Sequence, residues 1–185
     1  MTESVSLDDK WTRTRGRVMM NGTQAMARAL LAQAWLDRRD GLSTAGYVSG
    51  YRGSPLGNVD TTLWSIGQQL KDAGILFHPG VNEDLAATAI AGTQQFDQVP
   101  GARHDGVFAA WYGKGPGVDR SGDAFKHGNH AGAHAKGGVV LFYGDDHAGK
   151  SSTVAYQSEQ ALAAHLIPSF YPANVGEIVH FSLMA

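Results

Sequence analysis

Short apolar runs separated by helix-length segments, each run followed by a glycine-rich or otherwise special loop, are the feature that most restricts what this chain can become. The runs fall at Thr44 to Ser49, Ile75 to His78, Val107 to Trp111, Val139 to Tyr143 and Ile167 to Tyr171. Between them lie segments with helical spacing of apolar residues. Gln24 to Asp37 is rich in Ala, Leu and Met and is stopped near Gly41. A second helix starts at a capping Asp60 and carries Leu63, Ile66 and Leu70. A third starts at a capping Asn82, with Leu85, Ala86, Ala89 and Ile90 on its inner face, and a fourth spans Gln157 to His165. Strands that are apolar throughout need cover on both faces, so the pattern predicts a three-layer α/β/α fold around a mostly parallel sheet. In such sheets ligands bind beyond the carboxyl ends of the strands. The loops at 50–57, 79–83, 112–121 and 144–152 each follow a predicted strand and should therefore meet along one edge.

Composition narrows the function classes. At 185 residues the chain holds one domain with a hydrophobic core, and its 43% apolar and 17% charged residues are those of a folded protein. A net charge of −2 offers nothing to nucleic acid or to an anionic membrane. With no cysteine, the chain provides neither a thiol nucleophile nor cluster ligands. No apolar run approaches the length of a membrane span, and the polar, acidic start does not read as a secretory signal. A cytoplasmic domain is the expectation, with residues 1–16 as a flexible leader and 17–185 as the folded unit. Asn174 with Glu177 forms a capping-box pattern that opens a last helix with Ile178, Phe181 and Met184 on its apolar face. The chain stops on that face, which suggests a domain truncated at its C-terminal end.

Two motifs invite stronger readings than they can support. Gly144-Asp145-Asp146-His147-Ala148-Gly149-Lys150-Ser151 satisfies the phosphate-loop pattern after a strand, and makes a P-loop nucleotide hydrolase one alternative. Asp145 and Asp146, however, would put two negative charges where polyphosphate should lie. His127, His130 and His134 have helical spacing suited to a metal, but Gly128, Gly132, Gly137 and Gly138 speak against a stable helix there. They read as loop histidines, and no metal ligand set is assigned. His147 is better placed, at a strand end. Glu83, by spacing alone, is a carboxylate in the first turn of a helix, where the helix dipole favours it by a few tenths of a kcal/mol.

Four longer stretches in order change the weight of Glu83. Gly-Tyr-Arg-Gly-Ser-Pro-Leu-Gly at 50–57, Asn-Glu-Asp-Leu-Ala-Ala-Thr-Ala at 82–89, Trp-Tyr-Gly-Lys-Gly-Pro-Gly-Val-Asp-Arg-Ser-Gly-Asp at 111–123 and Gly-Asp-Asp-His-Ala-Gly-Lys-Ser-Ser-Thr at 144–153 together resemble the N-terminal region of the indolepyruvate ferredoxin oxidoreductase family. The resemblance runs from about Arg17 to about Val179. It implies the pyrimidine-binding domain of a thiamine-diphosphate enzyme that oxidatively decarboxylates a 2-oxoacid of the arylpyruvate type to an acyl-CoA, passing electrons to ferredoxin. In that family the acid of the second stretch, here Glu83, shares a proton with the cofactor's aminopyrimidine ring and so primes it for catalysis.

The same resemblance implies that Gly53, Ser54, Pro55 and Asn82 face the cofactor, and that Ser54 also faces the substrate. Arg52, Lys114 and Arg120 become candidate partners of the substrate carboxylate. Asp145, Asp146 and His147 would shape the same edge, and Tyr51 and Trp111 are candidate walls of an aromatic pocket. Magnesium and the cofactor's diphosphate belong to another domain, and the iron–sulfur clusters to other parts of the enzyme, which would act as a homodimer of the complete protein. By itself the chain would be inactive. A stand-alone, non-catalytic domain is the other alternative.

Overall fold

The computed structural model describes residues 6–53, 55–151 and 155–185. Its centre is a four-stranded sheet made of β1 (Ala45–Gly50), β2 (Ile75–Phe77), β3 (Val107–Lys114) and β4 (Gly138–Gly144), in the order β2-β1-β3-β4. All three pairings are parallel. Helix α1 (Asp9–Thr12) and helix α2 (Gly22–Arg39) precede the sheet. Helices α3 (Val59–Ser65) and α4 (Gly67–Asp72) join β1 to β2, and α5 (Glu83–Thr93) joins β2 to β3. Helices α6 (Gly115–Arg120) and α7 (Gly122–Ala131) join β3 to β4, while α8 (Ser158–Ala164) and α9 (Val175–Met184) follow.

The period-two geometry of β3 divides the core. Phe108, Ala110 and Tyr112 point to one face, where they meet Val48, Phe142, the buried Leu30, Leu31, Leu63 and Leu70 of α2, α3 and α4, and Ile66 between the last two helices. Ala109 and Trp111 point to the other, against Ala86, Ala87 and Ile90 of α5, Val118, Phe125 and Leu162. Each fully buried Leu or Ile in these layers contributes about 1.5–3 kcal/mol. The architecture is therefore α/β with helices on both faces of a parallel sheet. From β1 the chain first steps outward to β2, then returns past β1 to β3. Same-handed crossovers in opposite directions need helices on opposite faces, which is the arrangement seen.

Local chemistry explains the element ends. Asn21 and Gln24 form a reciprocal capping box at the start of α2, and Gly41, at φ +80°, turns the chain away after its end. Asn82 accepts a hydrogen bond from Leu85 N–H at 2.9 Å and starts α5. Asn174 accepts from Glu177 N–H at 3.0 Å and starts α9, which packs along α2.

Several expectations change. The leader is not loose throughout: Asp9–Thr12 is one helical turn, Trp11 lies in the core, and the Arg28 guanidinium donates to the carbonyls of Lys10 and Arg13. The helix expected from Asp60 is two helices broken at Ile66, and Asp60 sits inside the first turn of α3 rather than capping it. On α5 the inward residues are Ala86, Ala87 and Ile90, whereas Leu85 is 54% exposed and Ala89 is also exposed. Ile167 to Tyr171 forms no strand. Pro168 lacks the N–H a ladder requires, Leu166 turns the chain at φ +62°, and Phe170 packs on Phe181 of α9 instead. Conversely, α7 is helical through Gly128, because Phe125 buries one side of it against Trp111. No described helix is long and apolar enough to cross a membrane.

Candidate functional site at the carboxyl edge of the sheet

With every strand parallel, the loops after β1, β2, β3 and β4 leave from one edge, and they touch. Gly80 N–H donates to the Gly50 carbonyl at 2.9 Å, and Tyr51 N–H to the Tyr112 carbonyl at 3.1 Å. Gly53 lies over the stem of Lys114, and Gly144 lies against Pro55. The strand order reverses between β1 and β3, which pair up to Gly50 and Tyr112, and the loops that leave from there go to opposite faces of the sheet, the position where such sheets receive ligands.

Glu83 is the first residue of α5 at this edge and is half-buried. Two contacts fix it. Trp111, fully buried in β3, donates its indole N–H to the Glu83 carbonyl at 3.0 Å. Its side chain lies on Gly117 of α6, so closely that a Cβ there would stand 2.5 Å from Glu83 Cγ and 3.0 Å from Oε1. The carboxylate makes no hydrogen bond or ion pair to any described residue. Asn82 directs its side chain to the start of α5 as the cap. Ser54 lies outside the described residues; its neighbours Gly53 and Pro55 are at the edge.

The three cations differ sharply. Lys114 is buried, its ammonium 3.2 Å from Asp146 Oδ2 and donating to the Ser151 hydroxyl. Arg52 keeps 64% of its side chain exposed, with Nε 3.3 Å from Asp60 Oδ2 and its guanidinium 5.6 Å from the Trp64 ring centre. Asp60 is buried and its other oxygen has no partner among the described residues. The neighbouring Tyr112 hydroxyl, also buried and without a well-formed hydrogen bond among the described residues, is held protonated well above the usual phenol range, by burial first and then by the hydrogen bonding and charge of Asp60 beside it. Arg120 is exposed at the end of α6 and pairs with no described residue.

The phosphate-loop string has a different use. Its Ser151 N–H donates to Asp146 Oδ2 at 3.0 Å, and Gly149 N–H to the Asp146 carbonyl at 2.8 Å. The backbone donors that would cradle phosphate are thus spent on Asp146, one on its carboxylate and one on its main-chain carbonyl. The Ser151 and Lys150 N–H groups, with Lys114, bring the Asp146 pKa down to about 2, the Ser151 bond being the largest cause. Gly149, Lys150 and Ser151 are not helical, and the next described helix, α8, starts at Ser158, where Asp145 accepts from the Ser158 N–H at 2.8 Å and from its hydroxyl.

His127 and His130 lie on α7, but His134 is past its end, beside Phe96 and Asp97. His147 and Tyr51 are exposed at the edge, and Trp111 is core rather than pocket wall. Sequence reasoning missed Asp60 beneath Arg52 and Gly117 beneath Glu83. The Gly-Pro-Gly run at 115–117 was a usable signal for the latter, because two glycines flanking a proline at a helix start mark a close approach. Compared with models of known families, with curated proteins and with solved structures, the chain matches none.

Proposed function

We propose that this chain is the pyrimidine-binding part of a thiamine-diphosphate-dependent 2-oxoacid:ferredoxin oxidoreductase of the indolepyruvate type, cytoplasmic and with Glu83 as its essential acid. The observation that carries this reading is the meeting of the four resembling stretches at one sheet edge, with a carboxylate at the first turn of α5 that has no partner among the described residues. A thiamine-diphosphate pyrimidine fits that carboxylate chemically, since a ring nitrogen and an acid can share one proton. When bound, the cofactor supplies the carbon nucleophile and electron sink that decarboxylation of a 2-oxoacid requires.

The residues of the chain divide the remaining work. Glu83 holds or gives up the proton at its carboxylate. Asn82 anchors the helix start that presents it, and Gly53 and Pro55 form the loop across the edge. Lys114 is buried against Asp146 and fastens the loop after β4, so the candidate cations left for a carboxylate substrate are Arg120, exposed and without a described partner, and Arg52, whose side chain stays 64% exposed although its Nε is already paired with Asp60. In this reading magnesium, coenzyme A, ferredoxin and the iron–sulfur clusters are met by other domains or subunits, and the complete enzyme is a homodimer.

The test is Glu83→Gln in the complete enzyme. The fold should persist, while turnover of a 2-oxoacid with ferredoxin as acceptor should fall by about 10²–10⁴-fold, the usual contribution of a positioned acid or base. Near-normal turnover by a folded, cofactor-loaded Glu83→Gln enzyme would remove the assignment.

A further inference from the structure

We infer that Trp111 and Gly117 are positioning residues for the Glu83 carboxylate, acting from two sides; this rests on the function proposed above. Their chemistry is complementary. The Trp111 indole N–H holds the main chain of Glu83 by a 3.0 Å bond to its carbonyl. That hold is stiff, because the Trp111 ring is fully buried and meets Phe125 edge-on with centres 4.9 Å apart. Gly117 holds the other end by omission: the space its missing side chain leaves is taken by Glu83 Cγ and Oε1. Main chain and side chain are thus each defined by a residue of β3 or α6, across the point where the sheet order reverses.

Neither contact is accounted for by helix formation alone. Asn82 already caps α5, and the first carbonyls of a helix are accepted within it, so the indole bond is an additional one. Gly117 is inside α6, where glycine is about 1 kcal/mol worse than alanine. Its φ lies outside the left-handed region, so backbone conformation does not require glycine. What requires it is the glutamate. An alanine at 117 would have to move the Glu83 side chain by about 0.9 Å to restore ordinary contact at 3.4 Å. A misplacement of about 1 Å at a reacting group costs on the order of 100-fold in rate.

The experiment compares Gly117→Ala, Trp111→Phe, Glu83→Gln and the double variant Gly117→Ala/Glu83→Gln in the complete enzyme. Melting temperature, thiamine-diphosphate affinity by calorimetry in magnesium buffer, circular dichroism of the bound aminopyrimidine and steady-state kinetics are read for each. Gly117→Ala should remain folded, lower kcat by about 100-fold with the 2-oxoacid KM within about threefold, and weaken the cofactor by about tenfold. Its dichroism should shift toward that of Glu83→Gln. Trp111→Phe should move the same readouts in the same direction, by a smaller factor. In the Glu83→Gln background Gly117→Ala should cause no further loss, because a residue acting only through Glu83 has nothing left to position. Equal losses in both backgrounds overturn the inference, as does a folded Gly117→Ala enzyme within threefold of wild type. Failure of both single variants to fold would assign the two residues to the core and overturn it as well. If Glu83→Gln is itself active, the underlying function falls, and that result is distinct from the others.

Discussion

Replacing Gly50 by alanine should break the junction on which the edge is built. Gly50 ends β1, and an ideal Cβ there would lie 2.2 Å from the Tyr112 carbonyl oxygen and 2.6 Å from Tyr112 Cδ1. Ordinary contact begins near 3.4 Å, so the ends of β1 and β3 would have to part by about 1.2 Å. The obstacle is backbone and a fully buried ring, neither of which can swing aside. Two hydrogen bonds are at risk, Tyr51 N–H to the Tyr112 carbonyl and Gly80 N–H to the Gly50 carbonyl. Overpacking of this kind costs about 1–3 kcal/mol, and each bond adds about 0.5–1.5 kcal/mol. The expected destabilisation is about 4 kcal/mol, or roughly a 10 °C fall in melting temperature for a chain of this size. Urea unfolding followed by circular dichroism measures it. Gly92→Ala is the matched control: that glycine is near the end of α5 and has no heavy atom within 4 Å of its would-be Cβ. It should stabilise by about 0.5 kcal/mol through helix propensity. A Gly50→Ala chain within 1 kcal/mol of wild type would refute the packing argument.

Three further outcomes can be checked. Asn82→Ala should cost about 1 kcal/mol through loss of the α5 cap, while Asn82→Asp should retain most of it, both by denaturant titration. The folded Asp146 carboxyl titrates near 2, below its unfolded value, so the stability it contributes is present above about pH 4 and is lost as pH falls toward 2. The difference between wild type and Asp146→Asn should accordingly shrink across that window, and a pH-independent difference would contradict it. Tyr112→Phe should be close to neutral at pH 7, because it removes a buried hydroxyl that makes no well-formed hydrogen bond among the described residues and only a weak contact with Asp60. The wild-type phenol is held up in the folded state, so its contribution is present below about pH 10 and is lost as pH rises beyond it. Tyr112→Phe should lose less stability in that alkaline range.

Much of the fold was legible because it depends on local rules. Apolar runs with glycine-rich sequels marked β1 to β4, and Asn82, Asn174 and Gly41 marked helix ends through side-chain and backbone chemistry that spans only a few residues. The convergence of four loops on one edge also followed, since parallel strands send all their sequels the same way. Where reading failed, a distant contact or an overlooked donor had decided. Pro168 withholds the N–H that a fifth strand would need. Trp11 is drawn from an unpromising leader into the core beside α2. Phe125 holds α7 helical through a glycine that propensity counts against it.

The acid at position 83 shows the same division. Its place at a helix start after a capping Asn was written in consecutive residues, where hydrogen bonds join neighbours and need no other part of the chain. That its carbonyl is held by Trp111 and its side chain by the bareness of Gly117 was not, because those residues lie 28 and 34 positions away and come near only when β3 and α6 pack beside α5. Likewise the charge of Lys114 could be read from the sequence, but not its burial against Asp146, nor the acid beneath Arg52. Sequence determined which groups the edge carries. Only the packed structure decided which of them are already paired and which remain open to a ligand, because burial and pairing are properties of neighbours in space.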